Sequence, residues 1–315
     1  MRHVLEGESL EKPQALCLSE LGGHSMNKPG FLSKYWAYLF VAIPVILQLI
    51  FFFYPLINGV FYSLTDWTGL TRNFNVIGLE NYVKIFQDQA FYKSLGFTIL
   101  FTIGLVVGEI VIGLWIASLL NRKIRAVGFF RTWYFFPAVL STVTIGLIFS
   151  QLFNYGIPQI GELLGIDWLS SNLLFQENTV FWSVLFVALW QGLAMPVVIL
   201  LSGLQSIPDD IKEAAAIDGA NKQQQFFQIE LPFLLPSISM VFILAMKSGL
   251  TAFDLIYSLT KGGPDGATRT LGLLVYENAF NNNQFGYANA LAVVLFVIIT
   301  IISVVQITLS RKYEV

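Results

Sequence analysis

Six apolar stretches, each long enough to cross a bilayer, constrain this chain more than any other feature. A hydrocarbon core roughly 30 Å thick is crossed by about 20 helical residues. Runs of that length lie at about 36–64, 95–120, 128–153, 180–205, 233–256 and 287–309. Pro44 and Pro55 are expected to kink the first, and Lys247 and Asp254 interrupt the fifth. Composition agrees: hydrophobic residues make up 55% of the 315 and charged ones only 12%, against about 25% charged in an average soluble domain. That balance excludes a disordered chain, a solvated coiled coil and an ordinary soluble enzyme. A net charge of −2 gives no basic footprint for nucleic acid. Cys17, the single cysteine, permits neither an intrachain disulfide nor a cysteine metal cluster. No apolar stretch precedes it, so it is not expected to be a lipid-anchor site.

Lysine and arginine set the orientation. With the N-terminus inside, the inner side holds Arg2, Lys12, Lys28 and Lys34, then Arg122, Lys123, Arg125 and Arg131, then Lys212, Lys222, Arg311 and Lys312. The outer side holds Arg72, Lys84, Lys93, Lys261 and Arg269, and the loop at 154–179 has neither residue type. Both termini are therefore expected in the cytoplasm of a cell whose plasma membrane this chain spans. Residues 1–34 form a polar cytoplasmic segment ahead of a six-span domain at 35–315. Met26-Asn27-Lys28-Pro29 reads as a chain start before a membrane anchor, so residues 1–25 are expected to be disordered or a start-site extension.

Between the fourth and fifth spans runs Ser206-Ile207-Pro208-Asp209-Asp210-Ile211-Lys212-Glu213-Ala214-Ala215-Ala216-Ile217-Asp218-Gly219-Ala220. Pro208, Asp209 and Asp210 suit a helix start. Glu213 to Ile217 are mostly good helix formers. Gly219 suits the left-handed position that ends a helix. The segment continues through Phe226-Phe227-Gln228-Ile229-Glu230-Leu231-Pro232 into the fifth span. A short helix so placed can dock sideways on a partner and push on the spans beside it. A plain solvated loop would not need this pattern.

The register of Glu213, Ala214, Ala215, Asp218, Gly219, Ile229, Leu231 and Pro232 resembles the EAA loop of permease subunits of binding-protein-dependent ABC importers. In that family the loop is the coupling helix, resting in a cleft of the ATPase subunit. Further segments resemble the MalF-type sugar permeases: Leu259-Thr260-Lys261-Gly262-Gly263-Pro264, Tyr276, Ala279-Phe280 and Phe285-Gly286-Tyr287-Ala288. So do Gly78-Leu79-Glu80-Asn81-Tyr82 and Phe135-Phe136-Pro137. The chain departs from the maltose permease itself in having six spans rather than eight and no large outer insertion, so maltose is not implied as its substrate. The resemblance implies an all-α integral membrane protein with six transmembrane helices and the type I ABC importer permease fold. It also implies an importer of carbohydrates, oligosaccharides in particular, working by alternating access. The expected partners are a second homologous permease, two ATPase subunits, an extracytoplasmic sugar-binding protein and membrane lipid.

No Gly-x4-Gly-Lys-[Ser/Thr] phosphate loop occurs, and His3 and His24, the two histidines, lie in the polar tail. The chain is thus expected to be no enzyme, with no cofactor or metal of its own; ATP and Mg belong to the partner ATPases. By resemblance the sugar path crosses spans three to five, at Ala138, Thr142, Gln191, Gly192, Met195, Gly249 and Ala252. Thr142, Gln191, Ser248 and Thr251 are the polar candidates, although a Ser or Thr in a membrane helix often bonds its own backbone. Glu109, Lys247 and Asp254 are the charges within the spans, and such groups usually face protein or a cavity. Lys247 is a candidate for an acidic substituent or for pairing with Glu109. Asp254 either lies on the path or caps backbone at the outer end. Glu109 also admits a second reading of the chain, a secondary transporter driven by an ion gradient. Against that reading, the spans show no obvious repeat and the Glu213 loop would have no purpose.

Overall fold

The computed structural model describes residues 31–71, 73–122 and 127–310. Residues 1–25, and with them the expected start-site extension, lie outside that range. The chain divides into two units, 1–57 and 58–315. Helix α1 (Phe31–Gln48) runs through a π-helical turn at Leu49–Phe53 into α2 (Tyr54–Tyr62), within which the second unit starts at Asn58. Pro55 has no N–H for the carbonyl four residues back, and the wider turn directly precedes it. Pro44 is carried inside α1.

The second unit continues with α3 (Glu80–Gln87) and the 32-residue α4 (Gln89–Leu120). Then follow α5 (Val127–Val139), α6 (Thr142–Gln151), α7 (Ile157–Leu164) and α8 (Asp167–Ser170). Next are α9 (Glu177–Gly192), α10 (Ala194–Gln205), α11 (Asp209–Ile217), α12 (Lys222–Gln225) and α13 (Leu231–Phe233). The chain closes with α14 (Leu235–Leu250), α15 (Asp254–Leu259), α16 (Leu271–Tyr276) and α17 (Phe285–Ser310). Three continuous helical stretches are long and apolar enough to span: Phe40–Tyr62, Gln89–Leu120 and Phe285–Thr308. Three more are bent pairs, Thr132–Val139 with Thr142–Leu164 at 100°, Glu177–Gly192 with Ala194–Gln205 at 53°, and Lys222–Phe233 with Leu235–Leu250 at 66°. Counting each pair as one span gives the six read from the sequence.

The bends have local causes. Pro196 cannot donate to the Gly192 carbonyl, and Pro236 cannot donate to that of Pro232, so the helical ladder opens at Leu193 and Leu234. Pro137 is carried inside α5, and the third break follows at Leu140 and Ser141. The fifth span also corrects the apolar-run boundary of 256. It ends at Leu250, and Asp254 opens the separate helix α15. Among the described residues the Asp254 side chain makes no hydrogen bond; Ser258 Oγ donates to its backbone carbonyl at 2.7 Å.

Helix α4 is the central post. Asp88 caps its start, accepting from the Ala90 amide at 2.8 Å. Ser94, Thr98 and Thr102 line one buried strip, and the two threonine hydroxyls donate to carbonyls of their own helix at 2.7 and 2.6 Å. Small side chains let α14 close on this strip. A Cβ on Gly249 would lie 2.7 Å from Thr102 Oγ1 and 2.8 Å from its Cα. Phe97, Phe101 and Leu105 join Ile145, Val184, Val187 and Ile256 in one buried cluster, and Ala117 joins Val197, Leu200, Leu204, Leu234 and Val241 in another. On the other side of α4 the stripe Ile103, Val107, Val111 and Trp115 is exposed. Four-residue spacing of bulky apolar groups on an uncovered face suits lipid or a second membrane helix, not water.

The connection from α2 to α3 is tied by one amide. Buried Asn81 donates through Nδ2 to the carbonyls of Ser63 and Thr65, both at 2.9 Å. Nearby Asp66 accepts from the backbone and side-chain amides of Asn75 at 2.6 and 3.0 Å, which holds its carboxyl below the usual range. Asn81→Ala removes both donors and leaves two carbonyls unsatisfied. A cost of about 1–3 kcal/mol is expected, read as a lower unfolding midpoint of the detergent-purified protein.

Candidate transport site and coupling loop

The Glu213 loop folds into a short exposed helix with defined ends. Helix α11 stops in a paired hydrogen-bond arrangement: the Ala220 amide donates to the Ala215 carbonyl at 2.9 Å, and the Gly219 amide to that of Ala216 at 3.2 Å. This closure requires a left-handed residue, and Gly219 has φ +81°. Asn221 then starts α12 with a reciprocal cap. Its side chain accepts from the Gln224 amide at 2.9 Å, while the Gln224 side chain accepts from the Asn221 amide at 2.8 Å. Before the loop, Ile207 is buried against the cluster of Leu200 and Leu204. After it, Ile229 and Leu231 are half-buried and Pro232 opens toward the fifth span.

Between those two anchors Glu213, Ala214, Asp218 and Gly219 are exposed, and Ala215 is half-buried. Ile217 is 87% exposed. It follows the three alanines Ala214, Ala215 and Ala216 as the last residue of α11. Sequence reading passes over it because Ile217 resembles any apolar helix residue; its exposure becomes visible only once α11 stands clear of the core.

The second feature is a cavity of about 270 Å³ among α4, α6, α9, α14 and α15. Thr142, Gln191, Ser248 and Thr251 line it, together with Gly192, Ala252 and Phe253. Gln191 Nε2 donates to Thr142 Oγ1 at 2.9 Å, joining the end of α9 to the start of α6. Thr251 Oγ1 donates to the Lys247 carbonyl at 2.8 Å, the own-backbone bond expected of a membrane threonine. Met195 and Lys247 are exposed and stand outside the lining. Among the described residues Lys247 and Glu109 form no ion pair.

Glu109 and Asp254 also line this cavity. Their charge marks them in the sequence. What brings them together is the tertiary crossing of α4 at the break between α9 and α10, and the separate start of α15. Neither follows from helical periodicity.

Bent apolar spans around a polar cavity, with a capped helix standing clear between the fourth and fifth, define a helical membrane transport subunit. The chain belongs to the family of binding-protein-dependent transport system inner membrane components, whose model matches residues 109–315. It is 57% identical over 284 residues to the multiple sugar-binding transport system permease protein MsmF of Streptococcus mutans serotype c, covering 90% of this chain and 98% of that one. It is 30% identical over 275 residues to the trehalose/maltose transport system permease protein MalF of Thermococcus litoralis, covering 87% and 93%. Its fold is that of type I ABC importer permeases. A crystal structure of a bacterial ABC transporter involved in the import of the acidic polysaccharide alginate superposes with a TM-score of 0.77, over 90% of this chain and 98% of that one, at 18% identity.

Proposed function

We propose that this chain is one of two permease subunits of an ATP-driven importer of oligosaccharides in the bacterial plasma membrane. The observation that carries the reading is the exposed α11, closed at its C-terminal end by the left-handed Gly219, whose Glu213–Gly219 segment is built to seat on a partner. The sugar permeases named above support the substrate class. In this reading a loaded sugar-binding protein docks on the outer loops, and two ATPase subunits seat the coupling helices of the two permeases. ATP with Mg closes the ATPase pair, the push on α11 passes to α10 and α14, and the cavity opens outward to take the sugar. Hydrolysis returns it inward. ATP chemistry stays on the partners, because this chain lacks the phosphate-binding loop. The gradient-driven alternative gives α11 no task.

Orientation is part of the proposal, with both termini and α11 in the cytoplasm. Asn178 and Gln223 are exposed at opposite ends of the fourth and fifth spans. In a background carrying Cys17→Ser, an impermeant thiol reagent on intact cells should label Asn178→Cys and spare Gln223→Cys. Labelling of the second from outside overturns the map. The functional reading itself is tested by purification: a tag on this chain should recover a second permease and an ATPase, and ATP hydrolysis by that complex should rise with loaded binding protein. Recovery of this chain alone with transport intact contradicts the reading.

A further inference from the structure

Glu109 is 4% exposed, well inside α4, with Leu105 and Ile110 beside it. It has no hydrogen-bond or ion-pair partner among the described residues. Its carboxylate reaches the cavity wall that Thr142, Gln191, Ser248, Thr251 and Asp254 share. The side chain is held there by a missing one: a Cβ on Gly192 would come within 2.6 Å of Glu109 Oε1. Any residue but glycine at 192 would therefore push the carboxylate off its present position.

The geometry points to Glu109 as the residue that makes this cavity select neutral sugars and refuse anionic ones. The inference rests on the proposed sugar importer and adds the chemistry of its site. A buried carboxyl without a protein partner is costly in a membrane interior, and a ligand offering hydroxyl donors removes that cost. Neutral sugars carry such donors on adjacent carbons, which suits the two oxygens of one carboxylate. The Gln191 amide and the Thr142 and Ser248 hydroxyls supply further polar contacts, and Phe253 offers an apolar face to the ring. A uronate or a sugar phosphate meets the opposite situation. The lining carries two carboxyl groups, Glu109 and Asp254, and neither lysine nor arginine. An entering anion would be desolvated with no counter-charge to receive it. Lys247, the nearest cation along α14, is exposed outside the wall.

The test uses the whole complex, both permeases with their ATPases, in lipid nanodiscs without binding protein. Saturation-transfer NMR measures direct binding of maltotriose, raffinose and trehalose, and of trigalacturonate as the anionic probe. The wild-type complex should bind at least one neutral sugar and leave trigalacturonate unbound. Glu109→Gln should weaken the neutral sugar about tenfold, since one acceptor oxygen is replaced by an amide donor. Gly192→Ala, which keeps the carboxyl group but displaces it, should do the same. Glu109→Lys should admit trigalacturonate. Three results each overturn the inference: binding of none of the neutral sugars, equal binding of trigalacturonate by wild type, or wild-type affinity in both Glu109→Gln and Gly192→Ala. Failure of the importer reading shows separately, as a wild-type complex whose ATP hydrolysis ignores loaded binding protein.

Discussion

Ile217→Asp and Gly219→Val are each expected to cut sugar uptake below about a tenth of wild type while the binding protein still binds sugar normally. Ile217 offers a large apolar side chain with almost no cover from its own chain. Groups of this kind, once seated in a partner's pocket, carry about 2 kcal/mol or more of an interface, and an aspartate there would bring an unpaired charge into the contact. Gly219 acts through the backbone. At φ +81° a side chain is strained by about 1–2 kcal/mol, and more when β-branched. No atom lies within 4 Å of a Cβ built at 219, so the strain is conformational and not a clash. The expected result is a frayed end of α11, with Ala215 and Ala216 losing the amides that close the helix. Stimulation of ATP hydrolysis by loaded binding protein should fall in parallel with uptake, because both pass through the same joint. Gly219→Ala should fall between wild type and Gly219→Val, which separates backbone strain from bulk. Full stimulation and full uptake in both Ile217→Asp and Gly219→Val would remove the coupling role from this helix.

Gly249→Val is expected to prevent assembly outright. At this position α14 approaches the backbone of α4 so closely that a Cβ would meet Thr102 at 2.7 to 2.9 Å, its Cα included. A flexible side chain could swing aside; a Cα in the central helix cannot. Separating the two helices would also open the contacts of Val106 with Ala245, Met246 and Leu250. Overpacking of a dense core costs about 1–3 kcal/mol, and here the displaced element is the post on which α10 and α14 both rest. The measurement is the yield and elution profile of the tagged complex in detergent. Wild-type yield with an unchanged unfolding midpoint would contradict the packing described. Gly78→Ala is the comparison, because nothing lies within 4 Å of its Cβ and its strain is confined to an outer turn at φ +62°. It should assemble.

Much of this architecture was legible because lipid simplifies the code. Apolar runs of the right length can do little else than span, and the sequence has six of them. The Glu213 loop was legible because its punctuation is chemical: acidic residues at a helix start, glycine at its stop, proline at the next entry. The bends were less so. Pro137, Pro196 and Pro236 are plain in the sequence, yet a proline in an apolar run marks a weak point without fixing whether the helix curves or turns through 100°. Asp254 illustrates the limit. In sequence it interrupts a span; in the fold it begins a new helix, because the chain breaks at Thr251–Phe253 and α15 packs on α6. Asn81 shows the reverse. Resemblance picks out Gly78-Leu79-Glu80-Asn81-Tyr82, and the two carbonyls bound by Asn81 give that pattern its physical reason. Of the path candidates, Thr142 and Gln191 meet in a hydrogen bond, and Ser248 and Thr251 reach the same wall. Met195 and Lys247 are exposed and are not among the residues that line it.

The central claim is that this chain carries sugar only as the coupled part of an ATP-driven machine. Uptake of a labelled oligosaccharide into proteoliposomes tests it most directly, with the whole complex reconstituted, loaded binding protein outside and MgATP within reach of the ATPases. The account predicts uptake that requires both ATP and binding protein, that disappears in Gly219→Val, and that is indifferent to ionophores. Uptake that persists without ATP and collapses when an ionophore dissipates the ion gradient would contradict it.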